Sequence, residues 1–194
     1  MIRPTEYLLQ VARLLEELRI PYHVGGSFAS SAHGMYRASA DIDIVIDPSA
    51  DQVEELALAL DRDFYVSRSA IAEALADRST FNAIHIDTSF KLDFFIKGLT
   101  PFDAVELERS VRQRVGGPNG QMVLIKSPED TILRKLDWFR RGGSVSERQW
   151  LDVVSILRAN RRQMDEAHLE RWARELEVLD LLERARQDAA QKPR

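Results

Sequence analysis

The chain has 194 residues, 44% of them hydrophobic and 30% charged, with a formal net charge of −4. That profile is globular and excludes collagen, a coiled-coil rod and wholesale disorder. No cysteine is present, which excludes disulfides, thiolate nucleophiles and Cys-ligated zinc. No apolar run approaches the roughly 20 residues of a membrane span, and the N-terminus lacks a signal-peptide layout, so a cytoplasmic protein with no membrane partner is expected. The charge is uneven. Residues 1–126 carry 18 acids against 13 bases, and residues 127–194 carry 13 against 14. An acidic front half that must hold a polyphosphate needs metal ions.

In chain order, apolar residues at helical spacing over residues 5–18 predict an amphipathic helix with Thr5 as its cap, stopped by Pro21. Residues 22–24 read as a short strand running into Gly25-Gly26-Ser27, and a short helix follows, ended by Gly34. Residues 41–46, DIDIVI, predict a strand. A helix over 51–60, a strand over 64–66 and a helix over 69–77 come next. Residues 82–87 and 89–96 predict a hairpin. A second hairpin, 111–115 with 121–125, flanks Gly116-Gly117-Pro118-Asn119-Gly120. After Ser127-Pro128 the texture is helical throughout, over 128–140, 146–158, 165–174 and 176–190, with Ser144 or Ser146 capping the second of these. The expected organisation is an α/β domain over residues 1–126 and a helical C-terminal region over 127–194 packed on it.

Asp41 and Asp43 lie two apart in a strand, so alternation puts both carboxylates on one face and Ile42, Ile44 and Ile46 on the other. Two such acids are either solvated on a surface strand or bridged by a cation; Mg²⁺ suits hard oxygen ligands and keeps sites for phosphate oxygens. Upstream, Gly25-Gly26-Ser27 is either a tight turn or a phosphate cradle at a helix N-terminus. It is neither a Walker loop nor a GxGxxG fingerprint. Downstream, Lys91 and Asp93 share a face of a second strand whose other face is Phe90, Leu92 and Phe94. Asp93 there needs a partner, either a metal shared with Asp41 and Asp43 or a salt bridge to an arginine, unless the strand is an exposed edge.

Gly25-Gly26-Ser27, thirteen intervening residues, Asp41-Ile42-Asp43 and a later strand acid together resemble the DNA polymerase beta-type nucleotidyltransferase superfamily. Lys91-x-Asp93 resembles the second motif of the AbiEii-type toxin nucleotidyltransferases. Ser127-Pro128-Glu129-Asp130 followed by Lys135 resembles that group's helical motif. So does the stretch from Arg148 to Asp152, where the family's R-D-x-x-D is R-Q-W-L-D and Gln149 replaces an acid. The resemblance spans about residues 20–155.

It implies a mixed sheet with flanking helices, an α/β (α+β) fold with an all-helical C-terminal annex, and two-metal chemistry. Asp41 and Asp43 would bridge two Mg²⁺ ions, with Mn²⁺ as the substitute. Asp93 would complete the site of the metal that activates the attacking hydroxyl and would help deprotonate it. Gly26 and Ser27 would hold the β- and γ-phosphates, with Lys91 and Lys135 as further phosphate contacts. Lys135 as a solvated helix lysine is the plain alternative, and Arg37 is a weaker phosphate candidate. The implied reaction moves an NMP group from an NTP to an RNA (tRNA) or protein acceptor and releases pyrophosphate, in the toxin of a toxin–antitoxin pair with an antitoxin as partner. The alternative is a catalytically inactive nucleotide-binding or protein-interaction module of the same fold. Retention of all three carboxylates favours the active form. His23, His33, His85 and His168 show no zinc spacing, and Trp138, Trp150 and Trp172 are expected in the helical core.

Overall fold

The computed structural model describes residues 4–36, 39, 41–118 and 120–191; Arg37 and Asn119, named above, lie outside the described residues. The elements follow as α1 (Pro4–Glu17), β1 (Tyr22–Val24), α2 (Gly26–His33), β2 (Asp41–Ile46), α3 (Ala50–Leu60), β3 (Phe64–Val66), α4 (Arg68–Asp77), β4 (Thr80–His85), β5 (Lys91–Ile96), α5 (Pro101–Glu108), β6 (Val111–Val115), β7 (Gln121–Ile125), α6 (Pro128–Arg141), α7 (Glu147–Asn160), α8 (Glu166–Glu175) and α9 (Leu179–Ala190). The chain divides into two compact units. One is Met1–Gly26 with Ser39–Lys126, the other Ser27–Ala38 with Ser127–Arg194. The division therefore falls inside the Gly-Gly-Ser stretch, and residues 27–38 group with the C-terminal helices rather than with the sheet.

In the first unit the described strands form one mixed sheet in the order β3-β4-β5-β2-β1-β7-β6. β2 sits at its middle, parallel to β5 and antiparallel to β1. The tight connections make β4–β5 and β6–β7 antiparallel hairpins. The parallel β2–β5 pair instead needs a long crossover, which α3, β3, α4 and β4 supply. β2 and β5 share the same alternation of half-buried and buried positions. Ile42, Ile44 and Ile46 of β2 and Leu92, Phe94 and Ile96 of β5 are all buried, and Phe81 of β4 stacks on Phe94 with ring centroids 4.9 Å apart. Leu8, Val11 and Leu15 of α1 and Val53, Leu56 and Leu60 of α3 add to that core. Burying side chains of this size contributes about 1.5–3 kcal/mol each, enough to hold the polar face of β2 in a defined position.

Local capping chemistry sets several helix ends. Ser49 closes a capping box with Gln52 at the start of α3. Helix α5 was not expected from periodicity, yet Thr100-Pro101-Phe102-Asp103 carries its signal: a capping box between Thr100 and Asp103 with proline in the first turn. Thr5 lies inside the first turn of α1, which begins at Pro4. Of the two serines considered for α7, Ser146 is the cap.

Helix α5 also carries Glu106, whose Oε1 accepts from Lys126 Nζ at 2.7 Å, with side chains only 5% and 7% exposed. Lys126 follows β7 directly. Its Cε lies 3.8 Å from the position a Cβ on Gly25 would take, so this pair backs the glycine turn. On β1, the buried Tyr22 hydroxyl donates to Glu16 Oε1 at 3.3 Å.

In the second unit α6 packs on α7, α8 and α9, and α7 on α9. Residues 27–38 join this unit through Asn160 Nδ2, which donates to the His33 carbonyl at 2.6 Å, and through Ser155 Oγ, which accepts from the Met35 N–H at 3.4 Å. The Ser127-Pro128-Glu129-Asp130 motif is a helix start. Ser127 Oγ accepts from the Asp130 N–H at 3.1 Å and donates to Asp130 Oδ2 at 2.7 Å. Asp130 Oδ1 pairs with His168 Nε2 at 2.6 Å, and Glu129 Oε1 accepts from the Asp165 N–H at 2.9 Å. The motif's acids thus tie α6 to α8. Of the three tryptophans, Trp172 is buried, but Trp138 is 47% exposed and is no core residue. Trp150 Nε1 donates to Asp188 at 2.9 Å, and Arg184 lies over its ring at 4.5 Å. No described helix is long and apolar enough to cross a membrane.

Two stability measurements follow from these buried groups. Glu106→Ala should strand the Lys126 ammonium and cost about 3–5 kcal/mol in urea denaturation, while Glu106→Leu combined with Lys126→Met should recover most of the loss. Burial pushes the Tyr22 hydroxyl from its ordinary 10.0 up to about 12. Its folded value is the higher one, so the stability it contributes is complete below pH 10 and is lost as pH rises through about 12. Absorbance titration of tyrosinate should show one late-ionising tyrosine that Tyr22→Phe removes.

Candidate active site

The polar face of β2 carries Asp41 and Asp43, as alternation requires, because the opposite face is committed to the isoleucine core. The parallel register then decides what stands beside them. Asp41 is opposite Lys91 and Asp43 is opposite Asp93. Strands lie about 4.8 Å apart, so these side chains form a two-by-two square on one face, three carboxylates and one ammonium. β4 extends a row of the square: Asn82 is opposite Asp93, and cross-strand partners share a face. β5 is thus an interior strand, and Asp93 is no edge acid.

On the other side of β2 the Gly25 N–H donates to the Asp43 carbonyl at 2.9 Å. Gly26 follows with φ +53°. A Cβ placed there would fall on the Asp43 carboxylate, with Asp43 Cγ 2.6 Å away. Glycine is therefore required twice, by the backbone angle and by the space in front of Asp43.

The partner that Asp93 needs is Lys91, not an arginine. Lys91 Nζ lies 2.8 Å from Asp93 Oδ2, with side chains 44% and 18% exposed. The Lys91 ammonium is held protonated above its ordinary range. The bond to Asp93 is the first cause, burial opposes it, and the charges of Asp93, Asp41 and Asp43 add to it. All three carboxylates therefore act on this one cation. Asp41 Oδ1 also accepts from Ser39 Oγ at 2.8 Å. Among the described residues no three acidic or histidine side chains converge as a ready cage for a metal; Asp93 is turned to Lys91 and Asp41 to Ser39. The donor set itself fits a hard divalent cation: carboxylate oxygens on one face, with the Asp43 carboxylate packed into the space a side chain on Gly26 would take.

The structure thus brings together Asp41, Asp43, Asp93, Lys91 and Gly26 within the first unit. Ser27 and Lys135 belong to the second. Lys135 is not a solvated helix lysine. Its Nζ lies 2.8 Å from Asp152 Oδ2, and the two side chains are 13% and 12% exposed. Asp152 is the last residue of the R-Q-W-L-D stretch, so that motif provides the lysine's counter-charge even with Gln149 in place of an acid. Asn82 and Ser39 were not singled out from sequence. Asn82 is marked only by strand register, and Ser39 only by its place two residues before Asp41.

The described fold is that of the nucleotidyltransferases. A solution structure of the antibiotic-resistance factor ANT(2'')-Ia matches with a TM-score of 0.54 at 16% identity, over 95% of this chain and 93% of that one. An antigenic nucleotidyltransferase-like protein from Paracoccidioides brasiliensis matches with a TM-score of 0.56 at 18% identity, over 93% and 92%. The lincosamide antibiotic adenylyltransferase LnuA, solved with lincomycin bound, matches at 0.50 and 17%, over 78% and 94%. The profile described as nucleotidyl transferase AbiEii toxin, Type IV TA system, matches residues 13–194, and the chain belongs to this AbiEii family of nucleotidyltransferase enzymes. No curated protein sequence matches it significantly.

The glycine cradle makes a direct prediction. Gly26→Ala must displace the Asp43 carboxylate by about 1 Å or more, and a shift of that size should lower nucleotidyl transfer about 10²-fold. Circular dichroism and transfer from labelled NTPs, measured on the same preparation, should show an intact fold with the activity lost.

Proposed function

We propose that the protein is a Mg²⁺-dependent nucleotidyltransferase that moves an NMP group from an NTP to a hydroxyl of an RNA (tRNA) or protein acceptor, acting as the toxin of a toxin–antitoxin pair. The observation that carries this reading is the square on β2 and β5, three carboxylates on one face, with Asp43 seated against a glycine that has no side chain to displace it. The family description, a Type IV toxin–antitoxin nucleotidyl transferase, supports the toxin role and an antitoxin partner.

Asp41, Asp43 and Asp93 would hold the divalent cations, Mg²⁺ or Mn²⁺. When bound, these ions supply charge neutralisation on the entering and leaving oxygens. The residues of the chain do the rest. Gly26 and Ser27 hold the β- and γ-phosphates, and Lys135 is a further phosphate contact, the roles their motifs imply. Lys91 adds a cation for the phosphates. Asp93 orients the acceptor hydroxyl and accepts its proton. A bond forms between the acceptor oxygen and the α-phosphorus. The bond from that phosphorus to the bridging oxygen breaks, and pyrophosphate leaves with the electron pair. Positioning and charge stabilisation supply most of the rate in such transfers. Keeping all three carboxylates favours this reading over an inactive module.

The test is thermal shift with each NTP, with and without Mg²⁺, on wild type and Asp43→Asn, followed by labelling of tRNA and total protein with the stabilising NTP. One NTP should stabilise the protein in a manner that needs both Mg²⁺ and Asp43, and label should enter one acceptor class. Asp41→Ala and Asp43→Ala should each abolish transfer without unfolding the chain. Full transfer by the double alanine variant would refute the site.

A further inference from the structure

The geometry points to a second role for Lys91: its ammonium is a built-in counter-ion that occupies the carboxylate square in the metal-free protein and is displaced from Asp93 when a divalent cation enters. This rests on the reading of Asp41, Asp43 and Asp93 as metal ligands. Three carboxylates on neighbouring positions of two interior strands repel one another, and the isoleucine and phenylalanine faces behind them prevent the strands from relaxing apart. Some cation must sit among them. Lys91 supplies one: it is in register with Asp41 and bonds Asp93 Oδ2 at 2.8 Å.

The same contact opposes a metal. While the ammonium holds Asp93 Oδ2, a dication brought within a few ångströms of it is repelled. Lys91 is also able to leave. Its side chain is 44% exposed and sits on a flexible stem. By contrast Lys126–Glu106 and Lys135–Asp152 are enclosed pairs, no side chain of either being more than 13% exposed. Entry of the metal thus frees an ammonium at the rim of the site, where an anionic substrate would meet it. Lys91 acts here as a positioning residue, through Asp93.

The test is Mn²⁺ binding without nucleotide, by electron paramagnetic resonance, on wild type, Lys91→Met, Lys91→Arg and Asp43→Asn, together with melting in EDTA. Lys91→Met should bind Mn²⁺ about tenfold more tightly, melt lower than wild type in EDTA, and gain more from Mn²⁺. Lys91→Arg, which keeps the charge, should stay near wild type, and Asp43→Asn should lose binding. Lys91→Gln serves in place of Lys91→Met if the latter does not fold. Wild-type binding with an unchanged or weaker Kd in Lys91→Met, or an unchanged melting temperature in EDTA, overturns the counter-ion role and leaves the metal site standing. No Mn²⁺ binding by wild type or Lys91→Met overturns the metal reading and this proposal with it.

Discussion

Three carboxylates held side by side on one face of two interior strands are a source of repulsion that the rest of the first unit is built to contain. Asp41 and Asp43 cannot turn away, because Ile42, Ile44 and Ile46 commit the opposite face of β2 to the core. Asp93 is committed in the same way by Leu92, Phe94 and Ile96. Hydrophobic burial behind the sheet therefore stores unfavourable electrostatics in front of it. That is a common arrangement at functional sites, where local rules are broken and the compensation lies elsewhere.

The compensation here is graded by exposure. Lys91 pairs with Asp93 from a half-exposed position. Lys126 and Glu106 answer each other in an enclosed position behind the Gly25 turn, where breaking the pair is costly. The Gly25 turn is thus backed by a buried pair, and the carboxylate face of β2 and β5 carries a half-exposed one. In the second unit Ser127, Asp130 and His168 with Glu129 and Asp165 form a structural network, so the acids of the S-P-E-D motif anchor helices, while Lys135 pairs with Asp152.

Gly26 shows how one residue can carry two constraints. Its positive φ is a backbone requirement, and the closeness of Asp43 is a tertiary one. Either alone would disfavour a side chain; together they tie Gly26 to Asp43 of the D-x-D motif across the β1–β2 pair. The chain that carries this contact belongs to the AbiEii family and has the nucleotidyltransferase fold.

Much of this was legible in the sequence, because strand periodicity is local. The D-I-D-I-V-I alternation alone determined which side chains of β2 face the core and that both aspartates share a face. The glycine pair and the helical texture after Ser127-Pro128 were equally local signals; the Thr100–Asp103 capping box that marks α5 was local too, but periodicity missed it. Register is not local. Only the tertiary structure decided that Asp43 stands beside Asp93, that Lys91 rather than an arginine pairs with Asp93, that Asn82 joins the row, and that residues 27–38 group with the C-terminal helices. Those choices depend on which strands pair and at what offset. They are set by packing between segments far apart in the chain, where no periodicity within a single segment can specify them.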